Sequence, residues 1–293
     1  MGRCSAKALW KASAKRAFNM LPFVSFFGRE YPTFTLLGLV GFFLATIVAG
    51  TRANRYGMVK SDPVYIGTFA GVGLLVGSSL LFAITQTPAA WANRAYLTTH
   101  FVPFMMRWFG GMVFYGGLVG AIAGIYLYCK VMKQPFGKVM KLTVPVLPLA
   151  HAVMRVGCFA AGCCHGVESR FGIAFANSLG APNGVPLLPV QLYEAAANLV
   201  IFAVLWGFTR EKAAAPLPEG SVPLEKSWVL PAALYGLMYS FARFWLEFLR
   251  GDAVRGFAFG ISTSQIISIL VFFTYFVYIY VNKKSAPSRS PQA

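Results

Sequence analysis

Long runs of apolar residues, separated by short polar and basic segments, dominate the pattern of this chain. A helix needs about 20 consecutive apolar residues to cross a bilayer. Seven segments approach or reach that length, and their approximate bounds are 33–49, 64–85, 111–129, 142–161, 190–208, 228–249 and 261–281. The pattern therefore predicts an all-α polytopic membrane protein, with seven transmembrane helices in a membrane domain over residues 33–282.

The fourth segment, 142–161, is the least regular of the seven. It contains Pro145, Pro148, His151 and Arg155. Proline interrupts a helix, and irregular backbone or charge at membrane depth is tolerated only inside protein or beside a water-filled cavity. This helix is therefore predicted to be broken or to line a polar cavity.

Composition excludes several classes of protein. Of the 293 residues, 57% are hydrophobic and 12% are charged, which fits neither a water-soluble domain, nor a disordered chain, nor a small disulfide scaffold. The formal net charge of +17 would indicate nucleic-acid binding in a soluble protein, but most basic residues here lie in loops beside apolar segments. Anionic membrane lipids, and no nucleic acid, are the predicted partners.

The loops between the predicted helices differ in basic charge. The loops after the first, third and fifth helices, with the polar tail at 283–293, hold 13 Lys and Arg residues, whereas the opposite loops hold five. Basic loops face the cytoplasm. The C-terminus is therefore predicted in the cytoplasm and the N-terminus outside.

The first 32 residues form a basic arm that is predicted to lie on the membrane surface. Lys7, Lys11 and Lys15 recur every four residues and predict an amphipathic helix with a basic stripe. Apolar side chains between Trp10 and Leu21 can enter the headgroup region. The positive charge of the arm runs against the orientation that the loops predict.

Two segments place ionisable side chains where a membrane makes them costly. The first, MRVGCFAAGCCHG at residues 154–166, has Arg155 at the end of the fourth helix and His165 in the loop that follows. The second is YSFARFWLEFLR at residues 239–250. Four of its polar side chains fall on one helix face: Tyr239, Arg243, Glu247 and Arg250.

These arginines have two interpretations. In the structural one, Arg243 and Glu247 neutralise each other one turn apart, and Arg155 extends from a helix end to the interface. In the functional one, Glu247 alone cannot balance Arg155, Arg243 and Arg250, so an anion is missing. A lipid phosphate is the commonest anion at this depth.

Two further segments are less specific. GGMVFYGGLVGAIAG at residues 110–124 has glycines at four-residue spacing, which permit close helix packing and also let a headgroup approach the backbone. LPVQLYE at residues 188–194 starts the fifth helix, where a proline is tolerated in the first turn. Its polar residues are predicted on the same side of the membrane as the cysteine-containing loop: Gln191, Tyr193 and Glu194.

Taken together, the four segments resemble the prolipoprotein diacylglyceryl transferase family of bacterial membrane enzymes, in order and in helix count. The family's glycine-rich motif is similar to YGGLVG at residues 115–120, and its arginine-glycine signature to residues 155–166. Its proline-glutamine-tyrosine-glutamate segment is similar to residues 189–194, and its sixth-helix motif to residues 239–250. The resemblance implies a location in the bacterial inner membrane.

The chain departs from the usual family motifs at two places. Tyr115 stands where the glycine-rich motif has a histidine. Cys158, Ala161 and Cys163 stand where the arginine signature has asparagines and a glutamate. The resulting signature, GCFAAGCCHG, marks a divergent branch of the family.

The resemblance implies an enzyme that moves the diacylglyceryl group of phosphatidylglycerol to the cysteine thiol of a lipoprotein precursor peptide. Glycerol phosphate leaves, a thioether forms, and neither cofactor nor metal is implied. The implied catalytic residues are Arg155, Arg243, His165, Tyr115 and Glu247. The implied substrate-binding residues are Gly116, Gly117, Gly157, Gly162, Cys163, Cys164, Gly166, Gln191, Tyr193, Glu194, Tyr239 and Arg250.

Two steps of this reaction need particular side chains. The leaving phosphate is suited to the planar, bidentate guanidinium groups of Arg155 and Arg243. The acceptor thiol must lose a proton, and the phenol of Tyr115 is a poor base at neutral pH. His165 is therefore the predicted base, by elimination among the three histidines, while His151 is equally compatible with a core or arginine-facing role.

Several alternatives stay open. Cys158 can form a disulfide with Cys163 or Cys164 if the loop faces an oxidising exterior, and a thiolate in this loop can carry a covalent intermediate. Adjacent cysteines without a CxxC pattern fit zinc poorly. The enzyme can use phospholipid with a different acceptor, and the chain can also be a non-enzymatic lipid binder or transporter.

The charge asymmetry of the loops gives a test of orientation. A membrane-impermeant thiol reagent is added to intact spheroplasts that carry a cysteine introduced near Ser169 or near Lys133. We expect labelling near Ser169 and none near Lys133, because the loops with few basic residues face outside. The opposite labelling pattern would reverse the orientation.

Overall fold

The structure of the protein is a computed structural model that describes residues 17–94, 100–214, 229–251, 257–258 and 261–284. These residues form nine α-helices: α1 (Thr33–Ala53), α2 (Asp62–Ala92), α3 (Phe101–Phe109), α4 (Phe114–Val131), α5 (Phe136–Thr143), α6 (Leu147–Ala161), α7 (Val190–Ala214), α8 (Val229–Glu247) and α9 (Thr263–Lys284). Each of the seven predicted apolar segments falls on one or more of these helices.

Within the described part of the chain, four helical stretches are long and apolar enough to cross a membrane: Thr33–Tyr56, Asp62–Ala92, Phe136–Ala161 and Val190–Thr209. Tyr115–Val131 and Thr263–Val277 are shorter apolar helices. The protein is therefore a mostly helical membrane protein, as the apolar pattern predicts. The count of seven spans stays a prediction.

The fourth apolar segment is interrupted, as its prolines predict. α5 ends at Thr143, a 3₁₀ turn spans Val144–Val146, and α6 begins at Leu147. Pro145 cannot donate a helical hydrogen bond, and Pro148 lies in the first turn of α6, where the missing N–H needs no partner. The break separates α5, which carries Lys138 and Lys141, from α6, which carries Arg155.

Short strands accompany the helices, so the all-α prediction is incomplete. They are β1 (Phe18–Asn19), β2 (Phe23–Phe26), β3 (Arg29–Pro32), β4 (Glu168–Ala176), β5 (Pro186–Leu187), β6 (Phe257–Ala258) and β7 (Ile261–Ser262). β4 pairs in parallel with β1 and antiparallel with β5, while β2–β3 and β6–β7 are hairpins. β4 and β5 satisfy each other's backbone polar groups in the long connection between α6 and α7.

The N-terminal arm is β-structured where the structure describes it. Phe18 aligns with Phe175 of β4, and the β2–β3 hairpin turns at Phe27 and Gly28, with φ values of 51° and 74°. Positive φ at two consecutive residues is the geometry of a tight two-residue hairpin turn. The predicted interfacial helix therefore does not extend over residues 17–32, and its basic stripe at residues 7–15 lies outside the described residues.

The chain folds as two compact units. The second unit comprises the described residues between 46 and 143, and in it glycines on α2 and α4 bring the two helix backbones into contact. A Cβ atom on Gly120 would lie 2.0 Å from the carbonyl oxygen of Gly73, and one on Gly116 would lie 2.3 Å from that of Gly77. Close helix packing, one of the two interpretations of the glycine segment, is therefore present.

The first unit comprises the described residues up to 45 and from 144 onward. In it α6 packs on α7, and α8 packs on both α7 and α9. α1 packs on α6 at Gly157, where a Cβ atom would lie 3.0 Å from Cβ of Leu37. A small apolar core of Met20, Phe175 and Leu187 lies among the strands.

The glycine contact between α2 and α4 predicts a specific loss of stability. Gly120→Ala is expected to lower the free energy of unfolding by about 1–3 kcal/mol, because its methyl group would overlap the backbone of Gly73. Thermal unfolding in detergent measures the effect. Gly71→Ala is the matched control, since a Cβ atom added there would meet no other atom within 4 Å; equal melting temperatures for the two variants would contradict the account.

Candidate active site

A buried carboxylate, that of Glu194 on α7, is the centre of a polar cluster in the first unit. Its side chain is 3% exposed. Nη2 of Arg155 lies 2.9 Å from Oε1, and the hydroxyl of Tyr239 donates to the same oxygen at 3.2 Å. Nη1 of Arg243 and Nη1 of Arg250 lie 3.5 and 4.0 Å from Oε2. Three guanidinium groups thus surround one carboxylate.

A second carboxylate supports Arg243. Nη2 of Arg243 lies 3.0 Å from Oε2 of Glu247, one turn later on α8, and donates to Oγ of Ser264 at 3.3 Å. Glu247 is also 3% exposed. The predicted helical pair is therefore present, but Arg243 bridges two carboxylates instead of neutralising one. We call Arg155, Glu194, Arg243, Glu247 and Arg250 the arginine–glutamate cluster.

Helical spacing explains why these side chains meet. His151 and Arg155 lie four residues apart on α6, and Tyr239, Arg243 and Glu247 recur every four residues on α8. Residues at this spacing share one helix face. Because α7 packs against both α6 and α8, Glu194 reaches the polar faces of both.

The cluster combines side chains of both charges. Arg155, Arg243 and Arg250 supply three positive charges, and Glu194 and Glu247 supply two negative ones. From the sequence, only Glu247 was expected to oppose the three arginines, and the structure adds Glu194 as a second carboxylate.

His151 belongs to the same group of side chains. Nε of Arg155 donates to Nε2 of His151 at 3.3 Å, and this nitrogen lies 3.9 Å from Oε1 of Glu194. The imidazole also packs against the ring of Tyr239, with 5.2 Å between ring centroids. A guanidinium can only donate. Nε2 of His151 therefore carries a lone pair, and the arginine-facing role that the sequence left open is the one observed.

The loop after α6 folds back along the start of α7. Gly162 ends α6 with a φ of 67°, a left-handed cap that disfavours a side chain. Nε2 of Gln191 donates to the carbonyl of Cys163 at 2.6 Å. Nδ1 of His165 lies 2.9 Å from the carbonyl of Gly166, which pairs with the backbone of Arg250. The predicted base, His165, thus has its nearest described polar contact within its own loop, and its catalytic role stays a prediction.

Three cysteine thiols lie together beside the cluster. The sulfur atoms of Cys158, Cys163 and Cys164 all lie within 4.8 Å of one another, and all three are free thiols. Hydrogen bonds from Cys158 and Cys163, with the positive charges of Arg250 and Arg155, hold the pKa of the Cys164 thiol below its usual range. Hydrogen bonding within the group raises the pKa of Cys163.

This thiol cluster has the soft ligands that a thiophilic metal ion prefers. Among the described residues, no fourth histidine, cysteine or carboxylate joins the group. Arg155 and Arg250 also oppose a divalent cation by charge repulsion. The chemistry of the donor set thus gives the metal only three ligands in an unfavourable field, and the absence of a metal stays a prediction.

Several residues predicted to bind substrate contact the protein itself. Gly157 packs against α1, a Cβ atom on Gly162 would lie 2.5 Å from that of Ser178, and one on Gly166 would lie 2.6 Å from the carbonyl oxygen of Leu188. Close packing accounts for these glycines without a ligand. Tyr193 is 41% exposed and lies off the face that carries Glu194. Their binding roles remain predictions.

The glycine-rich motif lies on α4, in the second unit. Tyr115 is 49% exposed, and Gly116 approaches α2 as described above. A Cβ atom on Gly117 would lie 3.3 Å from the side chain of Leu74. The functional roles predicted for Tyr115, Gly116 and Gly117 stay predictions.

One residue of the site was assigned only in part from the sequence, and a second was not predicted at all. His151 was left as an arginine-facing or core residue, although its position one turn before Arg155 placed it on the same helix face. Ser264 had no sequence signal, because it follows a long connection from α8 and is brought to Arg243 only by the packing of α9 on α8.

The fold and the site together define a helical membrane protein with a buried cluster of arginine and glutamate side chains. The sequence pattern of the prolipoprotein diacylglyceryl transferase family matches residues 23–281. The chain therefore belongs to this family, as the four motifs predict.

Individual relatives agree over most of the chain. A phosphatidylglycerol–prolipoprotein diacylglyceryl transferase of Clostridium tetani is 32% identical over 260 residues, which is 87% of this chain and 93% of the relative. A second such transferase, of Clostridium perfringens, is 31% identical over 263 residues, which is 88% of this chain and 93% of the relative. One from Geobacter sulfurreducens is 30% identical over 251 residues, which is 83% of this chain and 87% of the relative.

Glu194 is predicted to be the main source of stability in the cluster. Glu194→Gln leaves three arginines facing one carboxylate, and breaking a buried ion pair from one side costs about 3–5 kcal/mol. Glu168→Gln removes an exposed carboxylate and is expected to change the free energy of unfolding by less than about 0.5 kcal/mol. Unfolding in detergent compares the two variants, and equal stabilities would show that the cluster does not depend on Glu194.

Proposed function

We propose that this protein transfers the diacylglyceryl group of phosphatidylglycerol to the cysteine thiol of a lipoprotein precursor peptide. Relatives that match this chain over most of their length are named for this activity. The observation that carries the proposal is the buried arginine–glutamate cluster, in which Arg155 and Arg243 converge on one carboxylate from different helices. The phosphodiester of phosphatidylglycerol supplies one negative charge in a form that guanidinium groups bind in pairs.

Arg155 and Arg243 are the proposed phosphate clamp. Both lie on the same carboxylate, 2.9 and 3.5 Å from its oxygens, so a phosphate that takes the place of these contacts meets two guanidinium groups from different helices. As the bond to the diacylglyceryl carbon breaks, the leaving phosphate gains a second negative charge. Positive groups already in position stabilise that charge without reorganisation.

Gln191 is proposed to bind the polar end of the substrate. The residue is 1% exposed, and its Oε1 atom has no hydrogen-bond donor among the described residues, while its Nε2 atom holds the loop at Cys163. A buried acceptor without a donor is costly. A hydroxyl of the glycerol headgroup is a donor that phosphatidylglycerol brings to such a position.

The proposed setting is a multi-pass protein of the bacterial inner membrane, with seven spans, the N-terminus outside and the C-terminus in the cytoplasm. Four helices long enough to cross a membrane and the unequal loop charges support this arrangement. Membrane lipids surround it, and the lipoprotein precursor reaches the site from the outer side.

A second candidate is an enzyme of the same fold with a different acceptor or a cysteine-bound intermediate. The observation that favours it is the thiol cluster, in which the pKa of Cys164 is lowered. Against a thioether intermediate stands the chemistry of its release, because a thiolate would have to leave from an unactivated carbon. Whether a lipobox peptide is consumed distinguishes the two candidates.

Mass spectrometry tests the proposal directly. Purified protein is incubated with phosphatidylglycerol and a lipobox peptide, and the peptide is expected to gain the mass of one diacylglyceryl group. A peptide with serine in place of the acceptor cysteine is the control. Consumption of phosphatidylglycerol without a change in peptide mass would favour the different acceptor, and no consumption would favour a lipid binder.

The phosphate clamp predicts that a positive charge without the planar guanidinium group is not enough for full activity. Arg155→Lys and Arg243→Lys are each expected to slow transfer by about 10- to 100-fold, since a lost charge-assisted hydrogen bond costs about 1.5–3 kcal/mol. Initial rates of peptide modification give the measurement. Arg170→Lys, at an exposed arginine of β4, is the matched control and should keep the wild-type rate. Wild-type rates in both clamp variants would contradict the proposed phosphate clamp.

A further inference from the structure

We propose that His151 is the proton acceptor of the transfer reaction, and that phosphate binding releases it for that task. This inference rests on the proposed function and adds to it a base that the sequence motifs do not identify. It starts from one contact, the hydrogen bond from Nε of Arg155 to Nε2 of His151. That contact joins the phosphate clamp to an imidazole lone pair.

The surroundings of His151 act in opposite directions on a proton at Nε2. Its side chain is 16% exposed, and Nε2 lies 3.9 Å from the carboxylate oxygen of Glu194 that also receives Arg155. An imidazolium at this point would gain a carboxylate partner from α7. Tyr239 covers one face of the ring from α8. Of the charged groups that face it, Glu194 favours an imidazolium, whereas the guanidinium groups of Arg155 and Arg243 oppose it until a bound phosphate offsets their charge.

The contact with Arg155 also controls when His151 can act. In the structure the guanidinium N–H occupies the lone pair of Nε2, so the nitrogen cannot take another proton. A phosphate offers Arg155 stronger, charge-assisted acceptors than a neutral imidazole. When the guanidinium turns to the phosphate, Nε2 is freed beside the bound substrate. Binding of the lipid therefore activates the base.

The chemical step balances with these groups alone. The acceptor cysteine gives its S–H proton to Nε2 of His151, and the resulting thiolate attacks the glyceryl carbon that carries the phosphate. The carbon–sulfur bond forms as the carbon–oxygen bond breaks, and the electron pair of that bond leaves with glycerol phosphate. The imidazolium then returns its proton to the leaving phosphate, which departs as a monoanion. No oxidant or reductant is needed.

The test uses His151→Gln in the full-length protein, with phosphatidylglycerol and a lipobox peptide as the probes. Glutamine keeps an oxygen that can accept the Arg155 hydrogen bond, but it cannot take a proton at neutral pH. Transfer at pH 7 is expected to fall by about 10²- to 10⁴-fold, the usual contribution of a general base. His100→Gln, in the second unit, is the control and should keep the wild-type rate.

The pH profile separates a base from a residue that only positions Arg155. A cysteine thiol ionises by itself with a pKa near ~8.5, so the rate of His151→Gln should rise roughly 30-fold from pH 7.0 to 9.5 as the thiolate forms without help. A variant that is merely misfolded or has a displaced clamp would not recover in this way. The wild-type rate should level off well below pH 8.5, and this measurement needs no variant.

Four results would overturn the proposal. They are a His151→Gln rate equal to wild type, a reduced rate that does not recover at high pH, a wild-type profile that follows only the acceptor's own ionisation, and a loss confined to His165→Gln. The last result would show that the base is His165, in the loop after α6. If wild-type protein modifies no peptide at any pH, the proposed function itself fails, which is a separate outcome.

Discussion

The ion pairs made by Glu194 are the interaction on which the rest of the first unit depends. A carboxylate that is 3% exposed is tolerated only because Arg155, Arg243 and the hydroxyl of Tyr239 approach its oxygens. These partners come from α6 and α8, so the carboxylate of α7 joins three helices at one point. Apolar packing alone would allow these helices to shift, whereas buried ion pairs require one arrangement.

The same cluster gives the site its readiness for an anion. Its guanidinium groups are already desolvated and aimed at carboxylate oxygens. A phosphate that replaces the carboxylate would therefore need little further ordering of the arginine side chains. Glu194 holds the arginines in the positions that the substrate's negative charge would require. In the proposed mechanism, phosphate takes the place of the Glu194 carboxylate, and His151 responds to that exchange through its hydrogen bond with Arg155.

The sequence predicted those parts of the molecule that follow from local pattern. Apolar runs located the helices, Pro145 and Pro148 located the break before α6, and the spacing of Tyr239, Arg243 and Glu247 located the polar face of α8. The family motifs identified Glu194 as a site residue. Each of these signals lies within about ten residues of the feature that it predicts.

The parts that the sequence did not predict depend on contacts between distant segments. β1 forms because Phe18 meets Phe175 far along the chain, and no local pattern marked either as a strand. The role of Glu194 as the second carboxylate against the arginines needed the packing of α6 and α8 on α7. Ser264 joined the site for the same reason.

The central claim is that lipid phosphate exchanges with Glu194 for Arg155 and Arg243. The most direct test is a structure of the protein with a phosphonate analogue of phosphatidylglycerol, in which the reacting carbon–oxygen bond is replaced by carbon–carbon. The account predicts phosphonate oxygens about 2.7–2.9 Å from nitrogens of both guanidinium groups, with Nε2 of His151 no longer bonded to Arg155. A phosphonate bound elsewhere, with the arginines still on Glu194, would contradict it.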